Sequence, residues 1–308
     1  MDEQPLSPLS PAISVSTTVA LPRQQPNATS RVDVRGIFKH LRRHLPLWVG
    51  LVILGFFLAL VVAAPLIATH DPLEQDLLNR LKAPSAQHWF GTDELGRDVF
   101  SRVVYGTRVS LPSAVVVVIL VTVIGSLLGA VAGFYGGLIG GVIMRLADLT
   151  LAFPGIVLAL AIASLIGPSL QNMLLAACFV LWPEYARLMR SQVLVIRSQE
   201  YVTAARSYGM PERQILFKHV LPNAWTPLLI KAALDVGGIL LLVSALSFFG
   251  LGIRPPTPEW GAMISEGQAK FFNWWIATFP GLAIFFVMLG FNLVSEGLRD
   301  WLDPRERQ

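Results

Sequence analysis

The chain has 308 residues, of which 54% are hydrophobic and 14% charged, with 24 Lys and Arg against 20 Asp and Glu. Ordinary soluble domains carry about 25% charged residues, so this composition excludes a typical water-soluble globule and points to the bilayer. The formal charge of +4 is too small to imply nucleic-acid binding.

Residues 1–30 are rich in Pro, Ser, Thr and Gln and lack apolar periodicity, which is the composition of a disordered tail. A basic segment follows at 31–46, with Arg31, Arg35, Lys39, Arg42 and Arg43. His40 and His44 are four apart and could pair on a metal, but a solvated basic face is the expected role, and no metal site is expected in the chain. The first apolar run starts near residue 47, so it reads as an uncleaved anchor and not as a signal peptide.

Six runs approach the roughly 20 apolar residues that a span needs: about 47–69, 109–134, 142–166, 170–190, 226–250 and 276–297. The expected fold is therefore an all-α integral membrane protein with six transmembrane helices. Lys and Arg gather before the first span, around 187–218, and in the tail at Arg299, Arg305 and Arg307. By the positive-inside rule both termini and the 195–223 loop are expected in the cytoplasm. The transmembrane domain is expected at 47–300, with a short cytoplasmic tail at 301–308. The single Cys178 falls within a span and cannot form an intrachain disulfide.

The outer loop GTDELGRDVFSR at 91–102 suggests a short helix capped by Thr92 that leads into the second span. In that span Gly125, Gly129 and Gly133 share one face and allow close helix approach, either to this chain's own bundle or to a second subunit. Pro154-Gly155 predicts a kink in the middle of the third span. Arg145 and Asp148 are three apart, and an ion pair between them is expected. Lys231 and Asp235 are four apart in the fifth span, where they read either as a pathway lining or as a self-satisfied pair. Asn292 and Glu296 in the last span are open to the same two readings.

The most informative stretch is EYVTAARSYGMPERQILFKHVLPN, at 200–223. Tyr201, Ala204, Ala205 and Tyr208 fall at helical spacing. Gly209 supplies a helix stop, Pro211 a helix start, and Glu212 an acid in the first turn of the next helix. Ile215, Leu216 and His219 share a second face, and Pro222 is expected to end that helix. Two short helices in an L at the membrane surface are expected.

Glu200, Ala204-Ala205, Gly209 and Leu221-Pro222 resemble the EAA loop of ABC importer membrane subunits. GTD-x-x-GRD-x-x-SR at 91–102, PPTPEWG at 255–261, FPGLAI at 279–284 and GLRDWLDPR at 297–305 resemble the C-type subunit of dipeptide, oligopeptide and nickel importers. Pro211 and Trp301 depart from the common pattern. The resemblance implies a permease of the bacterial inner membrane that forms its pore with a homologous B-type subunit. It also implies two cytoplasmic ATPases docked on the loop, a solute-binding protein outside, and ATP and Mg bound by the ATPases alone. Glu200, Tyr201, Ala204, Ala205, Gly209, Glu212, His219, Pro222 and Asn223 would make the docking surface, with Glu200, Ala204, Ala205 and Gly209 at its core. The implied substrate is a dipeptide or oligopeptide, with nickel or glutathione as alternatives.

No G-x-x-x-x-G-K-[ST], H-E-x-x-H or G-x-S-x-G stretch occurs, so neither a nucleotide site nor a catalytic residue is expected in this chain. The rival class is a secondary transporter, for which internal repeats or broken midplane helices would be the signal.

Overall fold

The computed structural model describes residues 45–302, with backbone only over 298–302. The expected tail at 1–30, the basic segment up to residue 44 with its His40/His44 pair, and residues 303–308 lie outside the described residues. Every extended element among the described residues is helical: α1 Leu45–Ile67, α2 Val99–Tyr135, α3 Gly137–Leu151, α4 Gly155–Ile166, α5 Leu170–Arg197, α6 Glu200–Ser207, α7 Glu212–Ile215, α8 Leu221–Phe248, α9 Trp260–Gln268 and α10 Trp275–Leu302. A π-helical turn at Leu216–Val220 joins α7 to α8.

Four helical runs are long and apolar enough to cross a membrane, or five if the bent pair α3–α4 is one span. The remaining expected span, α5, is 28 residues long but carries Gln171, Asn172, Glu184, Arg187 and Arg190. Gln171, Glu184, Arg187 and Arg190 stay on its exposed side, where Glu184 pairs with Lys231 and Arg187 with Asp148, while the opposite side of α5 is enclosed. It packs along α2 and against α3, α4 and α8, and it buries Met173, Ala176, Ala177, Tyr185 and Met189.

The third expected span is a break and not a kink, since α3 and α4 meet at 94°. Pro154 has no N–H to continue the ladder, and it disfavours helical backbone at Phe153. Neither half, at 15 and 12 residues, reaches the ~30 Å of a hydrocarbon core at about 1.5 Å per residue.

The glycine stripe in α2 faces inward. A Cβ on Gly125 would strike Tyr185 and the Trp182 carbonyl, one on Gly129 would strike the Ala186 backbone, and one on Gly133 would crowd Val193. Of the two readings left open by the sequence, packing within the chain's own bundle is the one realised. The stripe lets α2 and α5 approach almost backbone to backbone. Gly50, Gly290 and Gly297 do the same between α1 and α10.

The end of the bundle that carries the 91–102 and 255–261 loops is locked by those two motifs. Asp98, not Thr92, caps a helix here. Its carboxylate accepts from the Ser101 N–H at 2.8 Å, and α2 then runs unbroken for 37 residues. Thr92 instead closes the loop, donating to the Asn79 carbonyl and accepting from the Lys82 N–H at 2.8 Å. In the second motif Glu259 caps α9 through the Gly261 and Ala262 N–H groups, and it also accepts from Ser110 on α2 at 3.2 Å. Trp260 is fully buried, and its indole donates to the Val103 carbonyl at 3.0 Å.

Candidate functional site

The segment between α5 and α8 is built from its two ends inward. Arg197, at the end of α5, donates to the Gly133 and Phe134 carbonyls at 2.8 and 3.1 Å. It thus satisfies orphan acceptors at the end of α2 and suits their negative dipole, which fixes where the chain leaves α5. α6 begins three residues later, with Glu200 in its first turn.

α6 ends in a Schellman motif. The Gly209 N–H bonds the Arg206 carbonyl at 3.0 Å and the Met210 N–H bonds the Ala205 carbonyl at 3.2 Å. Gly209 has φ +74°, the left-handed conformation that glycine adopts without a Cβ penalty. Pro211 then precedes α7, and its carbonyl accepts from Gln214 and Ile215. Across the bend Arg206 grips Glu212 with two nitrogens, at 2.8 and 3.2 Å. A paired guanidinium and carboxylate hold the angle between the two helices, although exposure limits what the pair adds to stability.

Of the residues expected to dock a partner, Glu200, Tyr201, Ala204, Gly209, Glu212, Pro222 and Asn223 are exposed, and His219 is half-buried. Ala205 is buried against the core, together with Val202. The alanine pair therefore divides, because neighbours on a helix point about 100° apart: Ala204 faces out and Ala205 anchors α6 on the bundle. The Tyr201 and His219 rings lie 6.5 Å apart, and Asn223 donates to the His219 carbonyl at 2.7 Å. The first contact ties α6 to the π-turn and the second ties the π-turn to the start of α8; such a turn is a rare local geometry that recurs at functional sites. Tyr208 is 90% exposed and was not singled out for docking from the sequence. Its projection depends on the bend that follows it.

The charged residues of the spans form a second cluster. Lys231 reaches both Asp235 and Glu184 at 2.8 Å. The Tyr185 hydroxyl donates to Asp235 at 2.8 Å, and the ammonium lies 5.2 Å from the Tyr185 ring centre. Lys231 and Asp235 remain about a quarter exposed and Glu184 half exposed. Sequence reasoning missed Glu184 and Tyr185, which come from another helix. Arg145 and Asp148 do not pair, for Asp148 takes Arg187 of α5 at 2.5 Å. Asn292 and Glu296 are exposed on α10.

A cavity of about 610 Å³ lies between α2, the α4–α5 connection and the α8–α9 connection, lined in part by Arg108, Ser169, Ile253 and Arg254.

Residues 125–308 match the family described as binding-protein-dependent transport system inner membrane component, and residues 34–84 match the N-terminal TM domain of oligopeptide transport permease C. The chain is 44% identical to the dipeptide transport system permease protein DppC of Alkalihalophilus pseudofirmus, over 88% of this chain and 90% of that one. It is 45% identical to the probable D,D-dipeptide transport system permease protein DdpC of Escherichia coli, over 82% and 86%. It is 42% identical to the glutathione transport system permease protein GsiD of Salmonella typhimurium, over 93% and 95%.

Proposed function

Because the chain belongs to the family of binding-protein-dependent transport system inner membrane components, we propose that its α6–α7 segment is the coupling element on which cytoplasmic ATPases act. The protein is a multi-pass inner-membrane permease subunit of an ATP-driven importer. The observation that carries the coupling role is mechanical. An exposed, sharply bent pair of helices is joined at both ends to long membrane helices, through Ser198-Gln199 to α5 and through the π-turn to α8. A push on such a segment moves two spans.

In this reading the domain occupies 47–300 and crosses the membrane six times, with the broken α3–α4 as the third crossing and α5 as the fourth. Both termini and the coupling loop at 195–223 face the cytoplasm. A homologous B-type permease completes the pore, two ABC ATPases dock below, and a solute-binding protein delivers substrate from outside. The chain holds no cofactor for this work and catalyses nothing itself, since ATP and Mg belong to the ATPases. Ala204 and Gly209 present the smooth centre of the docking face, with Glu200, Tyr208 and Glu212 around it and Pro222-Asn223 at the return. The substrate is a dipeptide, supported by the relatives named for dipeptide and D,D-dipeptide transport. Glutathione is the second reading, supported by the relative named for it.

Cross-linking tests the docking. Cys178, the one native cysteine, is buried, so Tyr208→Cys places a single accessible thiol at the tip. In an assembly that is turning over ATP, this thiol is expected to cross-link to an ATPase polypeptide. Adducts to lipid alone would sink the coupling role.

The Glu184–Tyr185–Lys231–Asp235 cluster belongs to the translocation route. Two carboxylates against one ammonium leave one negative charge near the middle of α5 and of α8. A charge at that depth is too costly to face lipid, so the exposed side of the cluster meets water, substrate or the partner permease. Glu184→Gln is expected to lower dipeptide uptake about tenfold, the loss of one charge-assisted hydrogen bond, with ATPase co-purification unchanged. Full uptake by this variant would remove the cluster from the route.

A further inference from the structure

The outer loop brings together three side chains that are far apart in sequence and unused by the transport reading. His88 Nδ1 lies 2.9 Å from Asp98 Oδ1, and His70 Nδ1 lies 3.9 Å from the same oxygen. The two imidazoles face each other with centroids 4.7 Å apart. Single donor atoms from all three residues can be chosen within 4.8 Å of one another. We propose that His70, His88 and Asp98 form a binding site for a divalent transition-metal ion of the zinc class on the outer face of the permease.

The donor set fits that chemistry. Two imidazoles and one carboxylate suit zinc-class ions, which take such ligands at about 2.0–2.2 Å in tetrahedral geometry. Donors around a tetrahedral ion at those distances are roughly 3.4 Å apart, and the two measured separations, 2.9 and 3.9 Å, straddle that value. His70 Nδ1 now contacts Thr69 Oγ1 at 3.0 Å, and rotation of this exposed ring out of that contact is the adjustment that binding requires. The surroundings are acidic as well. Asp71, Glu74 and Asp76 line the same cavity, of about 350 Å³, which opens to solvent and leaves room for a water as fourth ligand.

The site is also held in place before any ion arrives. Asp98 Oδ2 is committed to capping α2, accepting from the Ser101 N–H at 2.8 Å and from Thr69 Oγ1 at 3.4 Å. That leaves Oδ1 for the cavity. The His70 N–H donates to Ser101 Oγ at 3.0 Å. The His88 N–H donates to Ser85 Oγ at 3.1 Å, and the His88 carbonyl accepts from Ser85 and Gly91. All three ligands thus stand on backbone that is pinned independently of them, as an outer shell should arrange. An ion here would join the exit of α1, the outer loop and the first turn of α2. It would brace the outer surface where a delivery protein must land.

The test uses the full chain purified with its partner subunits in mild detergent, stripped with a chelator and titrated with Zn²⁺ against a chromophoric chelator. The wild type is expected to take up one more saturable equivalent than His70→Ala/His88→Ala, and its unfolding temperature is expected to rise with Zn²⁺ while that of the double variant does not. His70→Ala alone, a change at a side chain 39% exposed, is expected to weaken binding at least about tenfold. His40→Ala/His44→Ala is expected to bind as the wild type does. Equal uptake by the wild type and the His70/His88 double variant overturns the site, as does loss of the equivalent in the His40/His44 variant instead.

Discussion

Gly209→Trp is expected to leave the protein inserted in the membrane while reducing ATP-dependent dipeptide uptake to background. Two effects separate in this one substitution. The first is backbone strain. Gly209 has φ +74°, and any L-residue in that conformation loses about 1–2 kcal/mol. The second is bulk. No atom of the described residues lies within 4 Å of a Cβ built at this position, so the side chain leaves the backbone into open space, where its bulk obstructs a docked partner. Gly209→Ala isolates the strain and is expected to retain much of the uptake, since a methyl group on an open surface adds little volume. The gap between Ala and Trp therefore reports the partner's presence. Membrane-fraction blots establish insertion, and uptake of labelled dipeptide establishes function. Uptake by the Trp variant equal to that by the Ala variant would show that nothing docks on this bend.

Local signals were legible where the chain's own stereochemistry decides the outcome. Gly209 and Pro211 mark their turn because few other residues take those backbone conformations. Pro222, expected to end the second helix, does not end it, because α7, the π-turn and α8 run on as one 37-residue helical stretch in which the proline falls near the start of α8. The helical face at 201–208 was legible as a period but not as an orientation, because only packing reveals that Ala205 is the inward member of its pair. Pro154 announced a disruption, yet its size, 94°, depends on what α3 and α4 pack against. The charges were hardest to place. Pairing by proximity in sequence joined Asp148 to Arg145, whereas the fold gives Asp148 to Arg187. The same blindness hid Glu184 beside Lys231, and His70 and His88 beside Asp98. In each case the partner arrives from another element, and spacing along one chain segment carries no information about it. The motifs at 91–102 and 255–261 were recognisable as a resemblance, but their physical purpose, a lock between the two loops, appears only when α2 and α9 are seen together.

That lock sets the second large expectation. Asp93→Ala is expected to destabilise the folded permease by about 3–5 kcal/mol, the range for breaking a buried ion pair by removing one partner. Asp93 is 2% exposed, and its Oδ2 accepts from Arg97 Nε and Arg102 Nη1, each at 2.6 Å. Its Oδ1 accepts from the Leu95 and Arg97 N–H groups at 2.9 and 3.0 Å, which shapes the loop. Both guanidinium groups also reach Glu266 of α9, at 3.1 and 3.3 Å. Burial raises the Glu266 carboxyl above its ordinary value, against the pull of Arg97. Two cations and two anions balance in the intact cluster. Without Asp93, two buried guanidinium groups share one carboxylate, and two backbone donors lose their acceptor. Asp93→Asn keeps an oxygen for those backbone donors but not the charge, so its loss should be smaller than that of Ala. Thermal unfolding of the detergent-solubilised complex measures the series. The expected order is wild type, then Asn, then Ala, with Glu266→Gln milder than either because Glu266 is the more exposed acid. An Ala variant that unfolds with the wild type would mean that the lock is held by Trp260 and Glu259 alone, and that the charge cluster contributes specificity of packing without net stability.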